Sequence, residues 1–175
     1  MRIKMADWAS MRNMALVLEK IAAASFKLGV SATALIFLAT LYELVARYFF
    51  GAPTAWALDY SSYLLCAAVF FTLPTITAQG SSIAISILVD MLAERYRPML
   101  ITMIEIVAGM SCVIVAALCF DFSLRQYDAG TLTLAVVPIP RWILTSIMTY
   151  GFLLSGTLHF QRAVLRSSST HTAVL

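Results

Sequence analysis

The amino-acid sequence predicts an all-α integral membrane protein with four transmembrane helices and one interfacial amphipathic helix. Hydrophobic residues make up 61% of its 175 positions, charged residues only 12%, and the mean hydropathy is +0.88. Soluble domains are about a quarter charged. The apolar residues form four runs of spanning length, and the connection between the second and third runs carries Asp90, Glu94 and Arg97 on one helical face.

The four predicted spans cover residues 28–50, 56–78, 99–120 and 141–160, and residues 1–175 form a single membrane domain. Each run can cross a hydrocarbon core of about 30 Å at about 1.5 Å per residue. A turn at 51–54 separates the first two spans, because Pro53 cannot lie deep in either helix. The third and fourth spans are separated by a predicted loop, residues 121–140.

Pro74 predicts a kink in the second span, either as a device that shapes the bundle or as a hinge. We expect the hydroxyls of Thr72, Thr75 and Thr77 to help satisfy the carbonyls that the proline leaves free. Small residues at five positions allow close helix approach, within the chain or against another subunit. These are Gly109, Ser111, Gly151, Ser155 and Gly156.

The interfacial helix is predicted over residues 81–97, between the second and third spans. It is too short and too charged to span, with Asp90, Glu94 and Arg97 on one face. Residues 1–27 have two interpretations, a basic amphipathic helix on the membrane surface or a plain lead-in to the first span. The Ser/Thr-rich tail is predicted to be disordered.

The distribution of lysine and arginine predicts the orientation. Nine of these residues lie at the two ends of the chain and between spans two and three, and three lie on the other side. Because cytoplasmic loops carry the excess of positive charge, both termini and the interfacial helix are expected in the cytoplasm. The net charge of +3 is too small to indicate a nucleic-acid partner.

The sequence contains no motif that predicts an enzyme, a metal site or a bound cofactor. A Walker loop, an H-E-x-x-H motif, a Cys-x-x-Cys pair and a Gly-rich dinucleotide turn are all missing. A haem needs axial ligands within the bundle, and the two histidines, His159 and His171, cannot supply them from facing helices. The two halves share no repeat, and we expect that the chain alone carries no substrate.

Five residues are candidates for a structural or subunit-interface role: Glu43, Arg47, Trp56, Asp59 and Glu105. Glu43 and Arg47 are spaced for an ion pair on one helix. Asp59 enters from the same membrane edge, so we expect Arg47 to bridge both acids and fix the hairpin geometry. Trp56 suits an interfacial anchor or a partner contact. Glu105 has three options: protonation, snorkelling or a partner.

These residues also form a pattern that resembles a family. Val45, Arg47, Tyr48 and Phe50 end the first span, and Trp56 and Asp59 open the second after a short turn. Ile139-Pro140-x-Trp142 and Gly151-Phe152 continue the pattern in span four. This arrangement is similar to the small membrane subunit (DctQ-like) of tripartite ATP-independent periplasmic (TRAP) transporters, and the resemblance covers nearly the whole chain.

The resemblance implies an accessory subunit of an ion-gradient-driven importer of organic acids in the bacterial inner membrane. Its implied partners are a large membrane subunit, which carries the substrate and sodium sites, a periplasmic substrate-binding protein and the lipid bilayer. The chain departs from the family in having Asp59 for a frequent Glu, Thr149 for a common proline, and no His-Ile-x-Val-Asp segment after span two. The alternative is a stand-alone structural or assembly membrane protein without a transport role.

Overall fold

The computed structural model describes residues 2–79 and 97–172, and these residues form four helices. Their bounds are α1 (Arg2–Phe50), α2 (Ala57–Gln79), α3 (Arg97–Asp128) and α4 (Arg141–Thr172). Each helix contains a stretch long and apolar enough to cross a membrane. These stretches are Leu16–Phe50, Ala57–Gln79, Met99–Asp128 and Arg141–Val164. For the described residues, the prediction of an all-helical chain with four segments able to span a membrane is confirmed.

The predicted interfacial helix, residues 81–97, lies outside the described residues except for Arg97, which begins α3. The predicted turn after the first span is present. α1 ends at Phe50, and the next residue, Gly51, has a φ of 61°, a left-handed conformation that favours glycine at a helix terminus. Gly130, with a φ of 59°, has the same role after α3.

Two helices continue beyond the bounds that the sequence suggested. The loop predicted to begin at Asp121 begins only after Asp128, because no glycine or proline lies between Asp121 and Gly130 and Asp121 pairs with Arg125 at 2.9 Å. The prediction of a disordered tail was also wrong, since α4 continues to Thr172. The segment after the fourth apolar run contains no glycine or proline to terminate the helix.

The N-terminal segment is part of the long helix α1, and a few of its described side chains pack into the bundle. Ala22 and Ser25 are buried. The Thr75 hydroxyl of α2 donates to the Ala22 carbonyl at 2.8 Å, and the Ser25 hydroxyl meets the Tyr150 hydroxyl of α4. This part of α1 therefore packs against α2 and α4 before the predicted span start at Leu28.

The helices are arranged as an open row in the order α1, α2, α4, α3. Within the described residues, α1 packs on α2, α2 on α4, and α4 on α3, while α1 makes only a small contact with α4 and none with α3. The chain is thus two helical hairpins, α1–α2 and α3–α4, joined along α2 and α4. Only 11–28% of each apolar window is buried inside the chain. Most of its apolar surface must therefore be covered by lipid or by another protein.

The two hairpins approach each other closely where Gly151 of α4 meets Phe70 of α2. A Cβ atom placed on Gly151 would lie 2.6 Å from the Phe70 carbonyl oxygen. That oxygen is four residues before Pro74, which has no N–H to donate to it. The second Cα hydrogen of Gly151 therefore points at an oxygen that lacks its helical partner, which is the geometry of a Cα–H···O contact.

The predicted threonines do not serve that carbonyl. Thr72 donates to Ala68 and Val69, and Thr75 donates to Ala22 of α1. Most of the small residues lie between helices of this chain: Gly109 faces His159, Gly156 faces Val113, and Ser155 is buried. Ser111 is the exception, because it is exposed and donates to the Val107 carbonyl of its own helix.

We predict that Gly151→Ala destabilises the chain while Ser111→Ala does not. The new Cβ must push the Phe70 backbone away, and overpacking of this kind costs about 1–3 kcal/mol. Ser111 loses only a local bond to its own helix. The measurement is thermal unfolding of the purified variants in one detergent, and an unchanged melting temperature for Gly151→Ala would contradict the close contact.

Candidate functional site

The candidate residues form two polar clusters, one at each end of the bundle along the helix axes. The first cluster lies where the turn after α1, the start of α2 and the α3–α4 loop (residues 129–140) meet. We call this end the loop end. The second cluster lies at the opposite end of α2, α3 and α4. Glu43, Arg47, Trp56 and Asp59 belong to the loop end and Glu105 to the opposite end.

Glu43 holds the turn that follows α1. Its Oε1 atom accepts a bond from the Arg47 guanidinium at 2.9 Å, as the spacing of four residues predicts. Its Oε2 atom accepts from the Thr54 amide at 2.9 Å and from the Thr54 hydroxyl. Both carboxylate oxygens are thereby satisfied within α1 and its turn, which sets the angle at which the chain enters α2.

The predicted bridge from Arg47 to Asp59 is not formed. Asp59 instead accepts a hydrogen bond from the Val137 amide, which reaches its Oδ2 atom at 3.0 Å. The Arg47 side chain remains 62% exposed and pairs with Glu43. The prediction failed because it considered only the hairpin, whereas the α3–α4 loop folds back over the first turn of α2 and supplies a nearer donor.

A chain of hydrogen bonds that the sequence did not indicate runs from α2 into the same loop. The Ile139 amide donates to Thr133 Oγ1 at 3.0 Å, and the hydroxyls of Thr133 and Tyr63 meet at 2.8 Å. The Tyr63 hydroxyl also donates to the Val137 carbonyl at 3.1 Å. Each hydroxyl has one proton, so the only consistent direction is Ile139 to Thr133 to Tyr63 to Val137. One signal existed, since Tyr63 is four residues after Asp59 and shares its helical face.

Trp56 lies in a row of aromatic rings that joins α1 to α2. Its ring centre is 5.7 Å from that of Tyr42 and 5.9 Å from that of Tyr60, and Tyr60 is 6.3 Å from Tyr63. Such ring pairs contribute about 0.5–1.5 kcal/mol beyond the burial of their area. Trp56 is still 39% exposed. The ring is therefore held by its own chain and leaves one side open at the depth where indole is favoured.

Glu105 has partners, which answers the question that the sequence left open. Its Oε2 atom lies 2.6 Å from His159 Nδ1, and its Oε1 atom lies 3.5 Å from the Arg162 guanidinium. The Glu105 side chain is only 10% exposed. Arg162 also donates to the Thr77 carbonyl of α2 at 2.6 Å. This cluster therefore ties α3, α4 and α2 together at the end opposite the loop.

His159 and Arg162 were not predicted as partners of Glu105. They are three residues apart near the end of α4, so they lie on one face. α3 and α4 run in opposite directions, which places the start of α3 beside the end of α4. The sequence did contain a signal for this contact, because Glu105 lies near the start of α3 and Arg162 lies towards the end of α4. Among the described residues, no group of three or more His, Cys, Asp or Glu side chains is arranged to hold a metal ion.

We predict that Glu105→Leu is far more destabilising than Asp121→Leu. Removing Glu105 leaves Arg162, whose side chain is 22% exposed, without its carboxylate, and breaking a buried pair in this way costs roughly 3–5 kcal/mol. Asp121 belongs to an exposed pair on one helix, which contributes little. The measurement is unfolding by denaturant in mixed micelles.

The double variant Glu105→Leu/Arg162→Leu tests the origin of that loss. It should be more stable than Glu105→Leu alone, because no unpaired charge is left among α2, α3 and α4. Additive losses in the double variant would show that the two side chains act independently, contrary to the 3.5 Å contact.

For the loop end we predict that Asp59→Ala frees the α3–α4 loop while Asp59→Asn and Arg47→Ala do not. Asparagine retains an oxygen that can accept the Val137 amide, and Arg47 makes no bond to the loop in the part of the chain that the structure describes. Leaving the Val137 amide without an acceptor costs about 1–3 kcal/mol. The measurement is hydrogen–deuterium exchange of the loop peptide. Equally fast exchange in Asp59→Asn would mean that charge, not the hydrogen bond, holds the loop.

Comparison with known proteins identifies a family. The family model described as "Tripartite ATP-independent periplasmic transporters, DctQ component" matches residues 36–168, more than half of the chain. No curated protein matches the chain significantly. The matched range contains both polar clusters, the second, third and fourth apolar stretches in full, and the last part of the first, residues 36–50.

Proposed function

The chain belongs to the DctQ family, the small components of TRAP transporters, and on this basis we propose that it supports the large transport subunit in the bilayer. In this role it carries no substrate itself. The complete transporter imports an organic acid by means of an ion gradient, with a periplasmic binding protein that delivers the substrate. These partners follow from the family and not from any bound molecule.

The observation that carries this proposal is that the described carboxylates near the helix ends bind other groups of the same chain. Glu43, Asp59 and Glu105 all lie near the ends of the membrane-spanning stretches, and their carboxylates accept bonds from donors in this chain. A transporter needs ion and substrate ligands near the middle of the membrane. Carboxylates engaged in joining helices and loops are suited to supporting a structure, which favours the accessory role.

The open row supports the same proposal. A closed four-helix bundle hides each helix behind two neighbours, whereas the edge helices α1 and α3 each have one main neighbour. Large apolar side chains therefore remain exposed on both edge helices, including Phe37 at 67% and Val107 at 63%. Such surfaces suit a large membrane partner and the lipid around it.

We further propose that the chain is a multi-pass protein of the inner membrane with both termini in the cytoplasm. The four spans return the chain to its starting side, and the nine basic residues against three favour that side as the cytoplasmic one. In this orientation the loop end, with Asp59 and the α3–α4 loop, faces the periplasm. The Glu105 cluster lies near the cytoplasmic surface.

We predict that the large subunit is recovered with the affinity-tagged chain from mild detergent, and that liposomes containing the chain alone take up no organic acid. The physical reason is that no charged side chain lies near the middle of the described spans. The measurement is gradient-dependent uptake by liposomes with the chain alone, with both membrane subunits, and with both plus the binding protein.

Two results would contradict the proposal. Uptake by the chain alone above the background of empty liposomes would assign it a transport site. Failure to recover the large subunit, with the chain itself folded and monodisperse, would favour a stand-alone structural protein. Empty liposomes and liposomes with an unrelated four-span protein are the controls.

A further inference from the structure

The contacts between helices define a common height across the row. Gly29 of α1 packs against Thr72 of α2, and Gly151 of α4 packs against Phe70 of the same helix. These residues therefore lie at nearly the same position along the helix axes, which we call the reference level. Positions in different helices can be compared by counting residues from this level, at about 1.5 Å per residue.

The register of α3 against α4 extends the reference level to α3. The hydroxyls of Ser123 and Ser146 meet at 2.9 Å. Because α3 and α4 are antiparallel, five residues back along α3 correspond to five residues forward along α4, where Gly151 lies. Leu118 of α3 is therefore at the reference level.

Towards the loop end, the first charged residue lies at a different distance from the reference level in each helix. Glu43 is 14 residues away in α1, Asp59 is about 12 away in α2, Arg141 is 10 away in α4, and Asp121 is only 3 away in α3. The limit of the charge-free region therefore shifts steadily across the row. From one edge helix to the other the shift is 11 residues, about 16 Å along the axis.

The opposite limit shifts by the same amount and in the same direction. Towards the other end, which we call the Glu105 end, the first acidic or basic residue of α1 is Lys27, 2 residues from the reference level. Arg162 of α4 is 11 residues away, and Glu105 of α3 is 13 away. In α2 no charged residue occurs between the reference level and Gln79. The charge-free region is thus a band that crosses the four helices obliquely.

An upright row cannot place this band within a bilayer. Lys27 and Asp121 are about 5 residues apart along the axis, or about 7.5 Å, on opposite edges of the row. Lys27 is exposed on α1, and the Asp121 side chain is 56% exposed on α3. A core of about 30 Å perpendicular to the helices would hold both about 11 Å below its surfaces, or one of them deeper still. Charges exposed to lipid at that depth are costly.

An inclined row moves the same two residues apart in depth. Three successive helix contacts of about 8–10 Å place the edge helices about 25 Å apart. A tilt of about 30° in the plane of the row then shifts one edge by about 12 Å relative to the other, and Lys27 and Asp121 become about 20 Å apart in depth. Each is about 5 Å below its surface, which a long basic side chain can span by snorkelling.

The lengths of the inner helices agree with this tilt. The apolar stretches of α2 and α4 contain 23 and 24 residues, about 35 Å at 1.5 Å per residue. Inclined by about 30°, they cover about 30 Å of depth, which is the thickness of the hydrocarbon core. Tilts of up to about 40° occur in membrane proteins.

We propose that the row is inclined by about 30° to the membrane normal, with α1 displaced towards the Glu105 end and α3 towards the loop end. The surface that meets the bilayer is then the oblique charge-free band. Lys27 binds lipid phosphates on one side of the membrane, and Arg125, beside Asp121, binds them on the other. Only the names of the two leaflets, cytoplasmic for Lys27 and periplasmic for Arg125, rest on the proposed function.

The test measures the depth of spin labels on the two edge helices. Phe26 of α1 and Ile114 of α3 are 3 and 4 residues from the reference level towards the Glu105 end, and Leu35 and Leu124 are both 6 residues from it towards the loop end. All four side chains are exposed. In an upright row the two labels of each pair have equal depth. In the inclined row the depths differ by about 12 Å in each pair, with opposite sign.

The expected order is specific. The labels at 26 and 124 should lie near the membrane surface, and those at 114 and 35 near its middle. The labels are placed one at a time in the full chain, with Cys66, Cys112 and Cys119 replaced by alanine, in vesicles of phosphatidylethanolamine and phosphatidylglycerol. Depth is measured from collisions with oxygen and with a water-soluble nickel chelate. Equal depths within both pairs, or the reverse order, would overturn the inference.

Polarised infrared spectroscopy of the unmodified chain in aligned bilayers is a second measurement that needs no substitution. The dichroism of the amide I band should give a mean helix inclination of about 30°. A mean of about 10°, which a helix crossing angle of about 20° produces in an upright bundle, would overturn the inference. Neither experiment contains the large subunit, so a failure here leaves the proposed function intact, and failure to recover the large subunit leaves the inclination intact.

Discussion

The contact between α2 and α4 is the constraint on which the rest of the structure depends, because it is the main connection between the two hairpins. Contacts at three positions along the helix axes stabilise it. At the loop end, Asp59 and Tyr63 of α2 bind the loop that leads into α4. In the middle, Gly151 approaches Phe70, and at the other end Arg162 donates to the Thr77 carbonyl. α1 adds a smaller contact with α4 through the hydroxyls of Ser25 and Tyr150.

The nature of these contacts follows from the solvent. Lipid tails are as apolar as leucine, so burying apolar surface between helices gains little in a membrane. Helices are held instead by close packing at small residues and by hydrogen bonds. Gly151 provides close packing. The Asp59 carboxylate and the Arg162 guanidinium provide hydrogen bonds. These contacts explain how the helices remain together although only 11–28% of the apolar stretch of each helix is buried within the chain.

The sequence was sufficient to predict what depends on local pattern. The four spans follow from run length and hydropathy, and the Glu43–Arg47 pair follows from a spacing of four residues. The bounds of α3 were less accurate, because the segment after Asp121 is polar enough to suggest a loop and yet contains no residue that breaks a helix before Gly130. Polarity marked where the membrane ends and not where the helix ends.

The partners of Asp59 and Glu105 could not be predicted for a different reason. Asp59 binds a backbone amide 78 positions away, and any residue except proline can supply that donor, so side-chain identity carries no signal. Glu105 meets residues 54 and 57 positions away whose chemistry is informative, but their placement depends on how α3 and α4 are paired. The partner of Asp59 could not be predicted because a backbone amide has no sequence signature. The partners of Glu105 could not be predicted because they depend on how the helices pair.

The two clusters differ in what they leave open to a neighbour. At the Glu105 end, the carboxylate, His159 and Arg162 are all at most 22% exposed and bind one another or α2. At the loop end, the inward side is equally well bonded, but the outward side presents exposed apolar side chains. The two ends therefore differ in exposure: the loop end leaves Leu134 and Val136 uncovered by this chain, whereas the Glu105 cluster is enclosed by α2, α3 and α4.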